Sequence, residues 1–284
     1  MAFTTLVGTN ELRQHLDDPS WLVFDCTYDL MNPTAGTTAY ARGHIPGAVF
    51  LSVDDDLAAP KNGANGRHPL PSAATFAERL GRAGFDGSQQ VVAYDAQGCM
   101  PASRLWWMLR WLGHDAVAVL DGGFGAWSRE GLPTSQTIPQ RTPKQFTPRI
   151  RDAMRVGAEQ LMQDRGKAMF QVVDARAADR YRGENEVVDP MAGHIPGALN
   201  RFWGLNLGPD GRYKSSAILA TEFTALLGNR LASAVVHSCG SGVSACHNLL
   251  AMEIAGLTGA KLYPGSWSEW IANKERPIAT GPQP

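Results

Sequence analysis

Ser238-Cys239-Gly240-Ser241-Gly242-Val243-Ser244-Ala245 stands between a short apolar run, Ala234-Val235-Val236, and the stretch 246–255. The run reads as a buried strand, and the stretch as a helix that stops at Gly256. A cysteine thus sits where a strand ends and a helix begins, with Gly240 and Gly242 close behind it. Glycine permits the backbone angles a tight loop needs. Such a loop can turn successive backbone N–H groups inward, making an anion-binding nest at a helix N-terminus. That setting favours the thiolate, which is the form that attacks. Cys239 therefore reads as a nucleophile. The alternative is a buried structural cysteine behind a strand. A cysteine phosphatase is disfavoured, because a phosphate dianion wants an arginine six residues after the cysteine to grip it bidentately, and Ala245 stands there.

The surroundings of this loop occur twice. The first copy runs Trp21-Leu22-Val23-Phe24-Asp25, Gly43-His44-Ile45-Pro46-Gly47-Ala48, Val91-Val92-Ala93-Tyr94-Asp95, then Asp121-Gly122-Gly123. The second runs Phe170-Gln171-Val172-Val173-Asp174, Gly193-His194-Ile195-Pro196-Gly197-Ala198, Val235-Val236-His237-Ser238-Cys239, then Tyr263-Pro264-Gly265. Asp25 and Asp174 lie 149 residues apart, and His44 and His194 lie 150 apart. A repeat this long means tandem domains rather than a solenoid. Short apolar strands alternate with helix-like stretches, such as 102–112 and 221–231, which predicts an α/β fold: two tandem domains, each a mostly parallel sheet with helices on both faces. The proline-spaced segment 136–151 reads as a linker. It separates an N-terminal domain (1–135) from a C-terminal domain (152–284). Sites in such sheets lie beyond the carboxyl ends of the strands, where Cys239 is. In the first copy Asp95 takes the cysteine's place, and the loop after it reads as two residues longer. That half has no nucleophile there and reads as a scaffold closing the site across the domain interface.

Composition narrows the class. A hydrophobic content of 44% with 19% charged residues describes a globular chain. A net charge of -1 offers no electrostatic footprint for nucleic acid or an anionic membrane. No apolar run approaches the ~20 residues of a membrane span, and the first residues lack a signal-peptide core. The cysteines, Cys26, Cys99, Cys239 and Cys246, show neither a CxxC pair nor zinc spacing. They imply a reducing compartment, hence a cytoplasmic protein, with no metal. Cys99, in the loop of the first copy, is expected to be exposed. The histidines of the two Gly-His-Ile-Pro-Gly segments are expected to serve the fold, since they occur in both copies while the nucleophile occurs in one. Trp106, Trp107 and Trp111 have helical spacing and read as core or domain interface.

Taken in order, these residues resemble the rhodanese superfamily of sulfurtransferases in its two-domain form, over residues 6–278. The resemblance rests on both Gly-His-Ile-Pro-Gly-Ala segments, Arg104-Leu105-Trp106-Trp107, Leu120-Asp121-Gly122-Gly123 and the cysteine loop. It implies that the cysteine takes a sulfane sulfur from a small-molecule donor, carries it as a persulfide, and passes it to a thiol such as thioredoxin or a small thiol, or to cyanide. It implies no cofactor and no partnership with nucleic acid or membrane. Thiosulfate-using members carry basic residues just after the cysteine, where this chain has Gly240 and Ser241. The loop is more similar to the branch that uses 3-mercaptopyruvate. Thiosulfate is the alternative donor, and a non-catalytic rhodanese-like binding module is the alternative of another class.

The resemblance also implies roles. Ser241, His68 and Asp54 form a relay beside the nucleophile, converging across the domain interface, while Gly240, Gly242, Val243 and Ser244 line the donor site. A relay makes chemical sense, because desulfurising mercaptopyruvate leaves an enolate that must be protonated, and histidine suits that task. The alternative for Asp54 is a turn cap among Asp54, Asp55 and Asp56; for His68, it is a solvated loop histidine. Arg180 is implied as the cation for the donor carboxylate, the alternative being a surface ion pair with Asp179 or Glu184. Relatives carry a second arginine in the following loop, where this chain has Glu184-Asn185-Glu186-Val187-Val188-Asp189-Pro190-Met191. Arg182 and Arg67 are the substitutes within the sequence.

Overall fold

The computed structural model describes residues 2–164, 167 and 169–284. The chain forms two compact units. The first comprises Met1–Ala59, Pro71–Arg151 and Leu207–Tyr213; the second comprises Pro60–Leu70, Asp152–Asn206 and Lys214–Pro284. Each half of the sequence has therefore given a short segment to the other unit.

In the first unit, strands β1 (Leu6–Val7), β2 (Trp21–Asp25), β3 (Val49–Phe50), β4 (Gln90–Tyr94) and β5 (Val117–Leu120) form a sheet in the order β1-β5-β4-β2-β3. All its pairings are parallel. In the second unit, β6 (Gln171–Asp174), β7 (Leu199–Asn200), β8 (Val235–Ser238) and β9 (Lys261–Leu262) form a parallel sheet in the order β7-β6-β8-β9. The orders superimpose once β1 is set aside. A single parallel bridge, Arg155 to Leu262, marks the place in the second unit that β1 fills in the first. The central strands β2, β4, β6 and β8 are buried along almost their whole length because parallel strands are covered on both faces; Val23 registers with Val92, and Val172 with Val236.

Helices alternate with these strands. The helix Met100–Trp111 follows β4 and buries Trp106, Trp107 and Trp111, as their spacing predicts. The helix expected at 221–231 runs from Ser216 to Leu227 instead. Ser215 caps it by accepting from the Ile218 N–H, a start signal the apolar spacing alone does not show. The segment 136–151 lies along the first unit, where Lys144 N–H donates to Gly81 O and Arg149 N–H to Leu112 O. His44 and His194 are both buried and play matching parts. Each stacks on a tyrosine, Tyr40 or Tyr181, and each sets Nδ1 2.8 Å from that tyrosine's carbonyl.

The loops after β4 and β8 correct two expectations. Both contain five residues, 95–99 and 239–243, so the first is not longer. Between Asp95 and Phe124, and between Cys239 and the matching Trp267, the copies differ by one residue, and that residue falls beyond the loop. Cys99 is not exposed; at 0% exposure its thiol donates to Leu120 O. The loop of the first unit closes on its own side chain. The Asp95 carboxylate accepts from the N–H groups of Gln97 (2.7 Å), Cys99 (2.9 Å) and Ala102 (2.9 Å).

Burial pushes the Asp95 carboxyl up to about 6, against those N–H groups. In the unfolded chain the same carboxyl loses its proton near pH 4 (about 3.9). Between about pH 4 and 6 the native state binds more protons, so this group's contribution to stability falls as pH rises, by about 3 kcal/mol at most. Asp95→Asn is expected to remove that slope. Urea melts across the window check it; an unchanged slope in the variant would assign the titration to another group.

Candidate functional site

β8 ends at Ser238, and the helix Ser244–Ile254 starts two residues earlier than the sequence suggested. Cys239 is the first residue between them. Its Sγ accepts from the Gly242 N–H at 3.1 Å, and the residue is 1% exposed. Of the two glycines, Gly242 is the one at positive φ (76°), and a Cβ there would fall 2.1 Å from Pro264 O. No side chain fits that position. Val243 is buried in the loop, and Ser244 opens the helix half-buried.

The segment after β9 pins the cysteine peptide. Trp267 N–H donates to Cys239 O and Ser268 N–H to Gly240 O, both at 2.9 Å. Ser266 Oγ accepts from the Cys239 N–H (3.1 Å), donates to Tyr263 O (2.9 Å), and lies 4.0 Å from Cys239 Sγ. Ser266 holds a φ of 53°, where a side chain costs on the order of 1–3 kcal/mol. The matching residue of the first unit is Gly123, with a φ of 55°; there Phe124 N–H donates to Asp95 O. The second unit thus bears a strained residue where the first has a glycine, and gains a hydroxyl beside the cysteine.

His68 Nδ1 lies 2.7 Å from Ser241 Oγ, and His68 is 3% exposed. It is therefore not a solvated loop histidine. Its segment, Pro60–Leu70, comes from the N-terminal half of the chain but belongs to the second unit. The segment is seated by Arg67, whose N–H donates to Ser268 Oγ at 2.9 Å. Asp54 belongs to the first unit, half-buried in the turn that follows Ser52.

Arg180 is not a surface pair with Asp179 or Glu184. Its Nε and Nη2 engage Glu186 at 2.9–3.1 Å, and Nη2 reaches Asp189 Oδ2 at 3.2 Å. Arg67 Nη1 donates to Asp189 Oδ1, and Arg67 Nη2 lies 3.5 Å from Oδ2. Arg176 closes the row, with Nη1 3.5 Å from Glu186 and Nη2 2.7 Å from Asp174. Burial pushes the Glu186 carboxyl up, but the Arg180 guanidinium and the Val188 and Asp189 N–H groups outweigh it and leave it below its usual range. A Cβ placed on Gly240 would meet Arg67 Nη2 at 2.9 Å, Asp189 Oδ2 at 3.7 Å and Arg180 Nη2 at 3.9 Å. Both guanidiniums therefore stand against the residue next to the cysteine. Arg182 pairs with the exposed Glu184 instead.

A family model described as the rhodanese-like domain matches residues 8–130 and again 157–273. The chain belongs to the rhodanese family. A Pseudomonas aeruginosa relative named a probable 3-mercaptopyruvate sulfurtransferase is 42% identical over 283 residues, covering 99% of this chain and 100% of its own. A Mycobacterium tuberculosis relative named a candidate thiosulfate sulfurtransferase is 37% identical over 269 residues, covering 91% and 90%. The solved structure of the Leishmania major 3-mercaptopyruvate sulfurtransferase superimposes with a TM-score of 0.85 at 31% identity, over 97% of this chain and 76% of its own. Among the described residues, no helix of this rhodanese is long and apolar enough to cross a membrane.

Sequence reasoning missed Ser266 and the counter-ions Glu186 and Asp189. The signal for Ser266 was hidden by a one-residue shift: the sequence sets Gly123 against Gly265, and it is the matching bonds from Phe124 N–H to Asp95 O and from Trp267 N–H to Cys239 O that set it against Ser266. None existed for Asp189, whose partner Arg67 is 122 positions away.

Proposed function

We propose that this rhodanese transfers a sulfane sulfur from 3-mercaptopyruvate to a thiol or cyanide, through a persulfide on Cys239. The observation that carries the reading is the Cys239 sulfur held by the Gly242 N–H, two residues before a serine that meets a buried histidine. In the first step the Cys239 thiolate attacks the donor sulfur. The donor C–S bond breaks, and its electron pair goes to the enolate of pyruvate. The donor thiol loses one proton and the enolate carbon gains one, so the step balances as a proton transfer through a relay. Ser241 and His68 supply that relay, with Asp54 assigned to orient the histidine. In the second step the acceptor thiolate attacks the outer sulfur and releases the Cys239 thiolate. Arg180 and Arg67 serve the donor carboxylate, and Gly240, Gly242, Val243 and Ser244 form the wall of the donor site. The acceptor is a small thiol or a thioredoxin-like protein in a reducing, cytoplasmic setting, in keeping with free cysteines at 26, 99, 239 and 246.

The test is kcat/KM for mercaptopyruvate and for thiosulfate with one acceptor. Mercaptopyruvate is expected to lead by about tenfold or more, roughly 1.4 kcal/mol of transition-state discrimination. The neutral Gly240-Ser241 pair motivates this expectation. An enzyme that prefers thiosulfate would move the assignment to the other donor on the same fold.

A further inference from the structure

The cations beside Gly240 are already occupied. Arg67, Arg180, Glu186 and Asp189 sum to zero charge, and the acids are the better buried partners. The Asp189 and Glu186 side chains are each 2% exposed, against 17% for Arg67 and 21% for Arg180. Asp189 bridges both guanidiniums in the way a bound carboxylate would. The segment 184–191 supplies both carboxylates.

We propose that Asp189 sets donor specificity by acting as an internal carboxylate on the guanidinium faces that receive the donor's anionic end. This rests on the donor reading above. An incoming anion must share the guanidiniums with Asp189 or displace it, against a site whose net charge is nil. The Coulomb penalty scales with the charge that enters. Thiosulfate, a dianion, is opposed more than mercaptopyruvate, a monoanion at its carboxylate. Asp189 touches the arginines rather than the reacting atoms, so it is a positioning residue. Its effect belongs in KM more than in kcat.

Asp189→Asn keeps the shape and removes the charge. The KM for mercaptopyruvate is expected to fall by on the order of tenfold with little change in kcat, and kcat/KM for thiosulfate to rise by a larger factor. Pyruvate, used as an unreactive carboxylate probe, should inhibit the variant at correspondingly lower concentration. This readout holds whichever donor the wild-type enzyme prefers, so it separates a failure of the Asp189 role from a failure of the donor assignment. Unchanged or higher KM and pyruvate inhibition constants, in a variant that melts with the wild type, would overturn the role. A salt titration of the wild-type enzyme needs no variant. With its cations compensated, kcat/KM should change by less than about threefold from low to physiological ionic strength. A steep decline there would show uncompensated cations at the site and would also overturn the proposal.

Discussion

Cys239→Ser is expected to lower sulfur transfer from every donor by about 10⁴-fold or more, because no second group can carry the sulfur between half-reactions. Cys26→Ala, Cys99→Ala and Cys246→Ala should each retain most of the activity per folded molecule. All four thiols are buried, so burial does not distinguish them; position does. Cys239 alone lies in the strand-to-helix loop of the second unit with a loop N–H on its sulfur. Burial pushes the Cys26 and Cys99 thiols well up, and neighbouring carboxylates push them further, Asp25 for the first and Asp95 for the second. Both thiols are thereby held protonated and unreactive. Mass spectrometry after donor treatment and before acceptor is added should find one extra sulfur atom on the peptide containing Cys239. Extra sulfur mainly on another cysteine would remove Cys239 from its role.

His68→Ala is expected to cut mercaptopyruvate turnover by on the order of 10²–10⁴-fold, the usual worth of a placed acid/base group. Thiosulfate turnover should suffer far less, since sulfite leaves as a stable anion and needs no proton. Ser241→Ala should follow the same donor pattern. With 2.7 Å between Nδ1 and Oγ, the double variant should be hardly worse than the poorer single one, since members of a relay act as a unit. Equal losses with both donors would assign His68 to shaping the loop. Asp54→Asn tests the assigned third member and should reproduce the donor bias in weaker form.

What the sequence made legible was what repeats. Paired landmarks such as His44 and His194 placed two parallel sheets in order, because the same fold imposed the same buried turn on each copy. The cysteine loop was legible because strand, glycines and helix are adjacent in the chain. The site's charge balance was not. Arg67 meets Asp189 across 122 positions and His68 meets Ser241 across 173, and no local periodicity encodes such partners. The segment 184–191 drew notice for the arginine it lacks, whereas in the structure it contributes two carboxylates, Glu186 and Asp189, that pair with Arg180 and Arg67. Cys99 was misjudged for a related reason: a polar loop between a strand and a helix suggests solvent, yet this loop folds around Asp95 and is buried with it.

The exchange of segments between the two units has a consequence for how such a chain can change over generations. A duplicated domain is ordinarily free to decay or to be lost once its twin performs the chemistry. Here residues 152–284 hold the nucleophile but neither Arg67 nor His68, which sit in Pro60–Leu70. Deleting the gene's first half would leave a sulfur carrier with no histidine beside Ser241, and deleting the second would leave that histidine with nothing to serve. On the mechanism proposed above, the two copies can no longer be separated without parting His68 from Ser241, although the first copy's own cradle holds Asp95 in place of a cysteine.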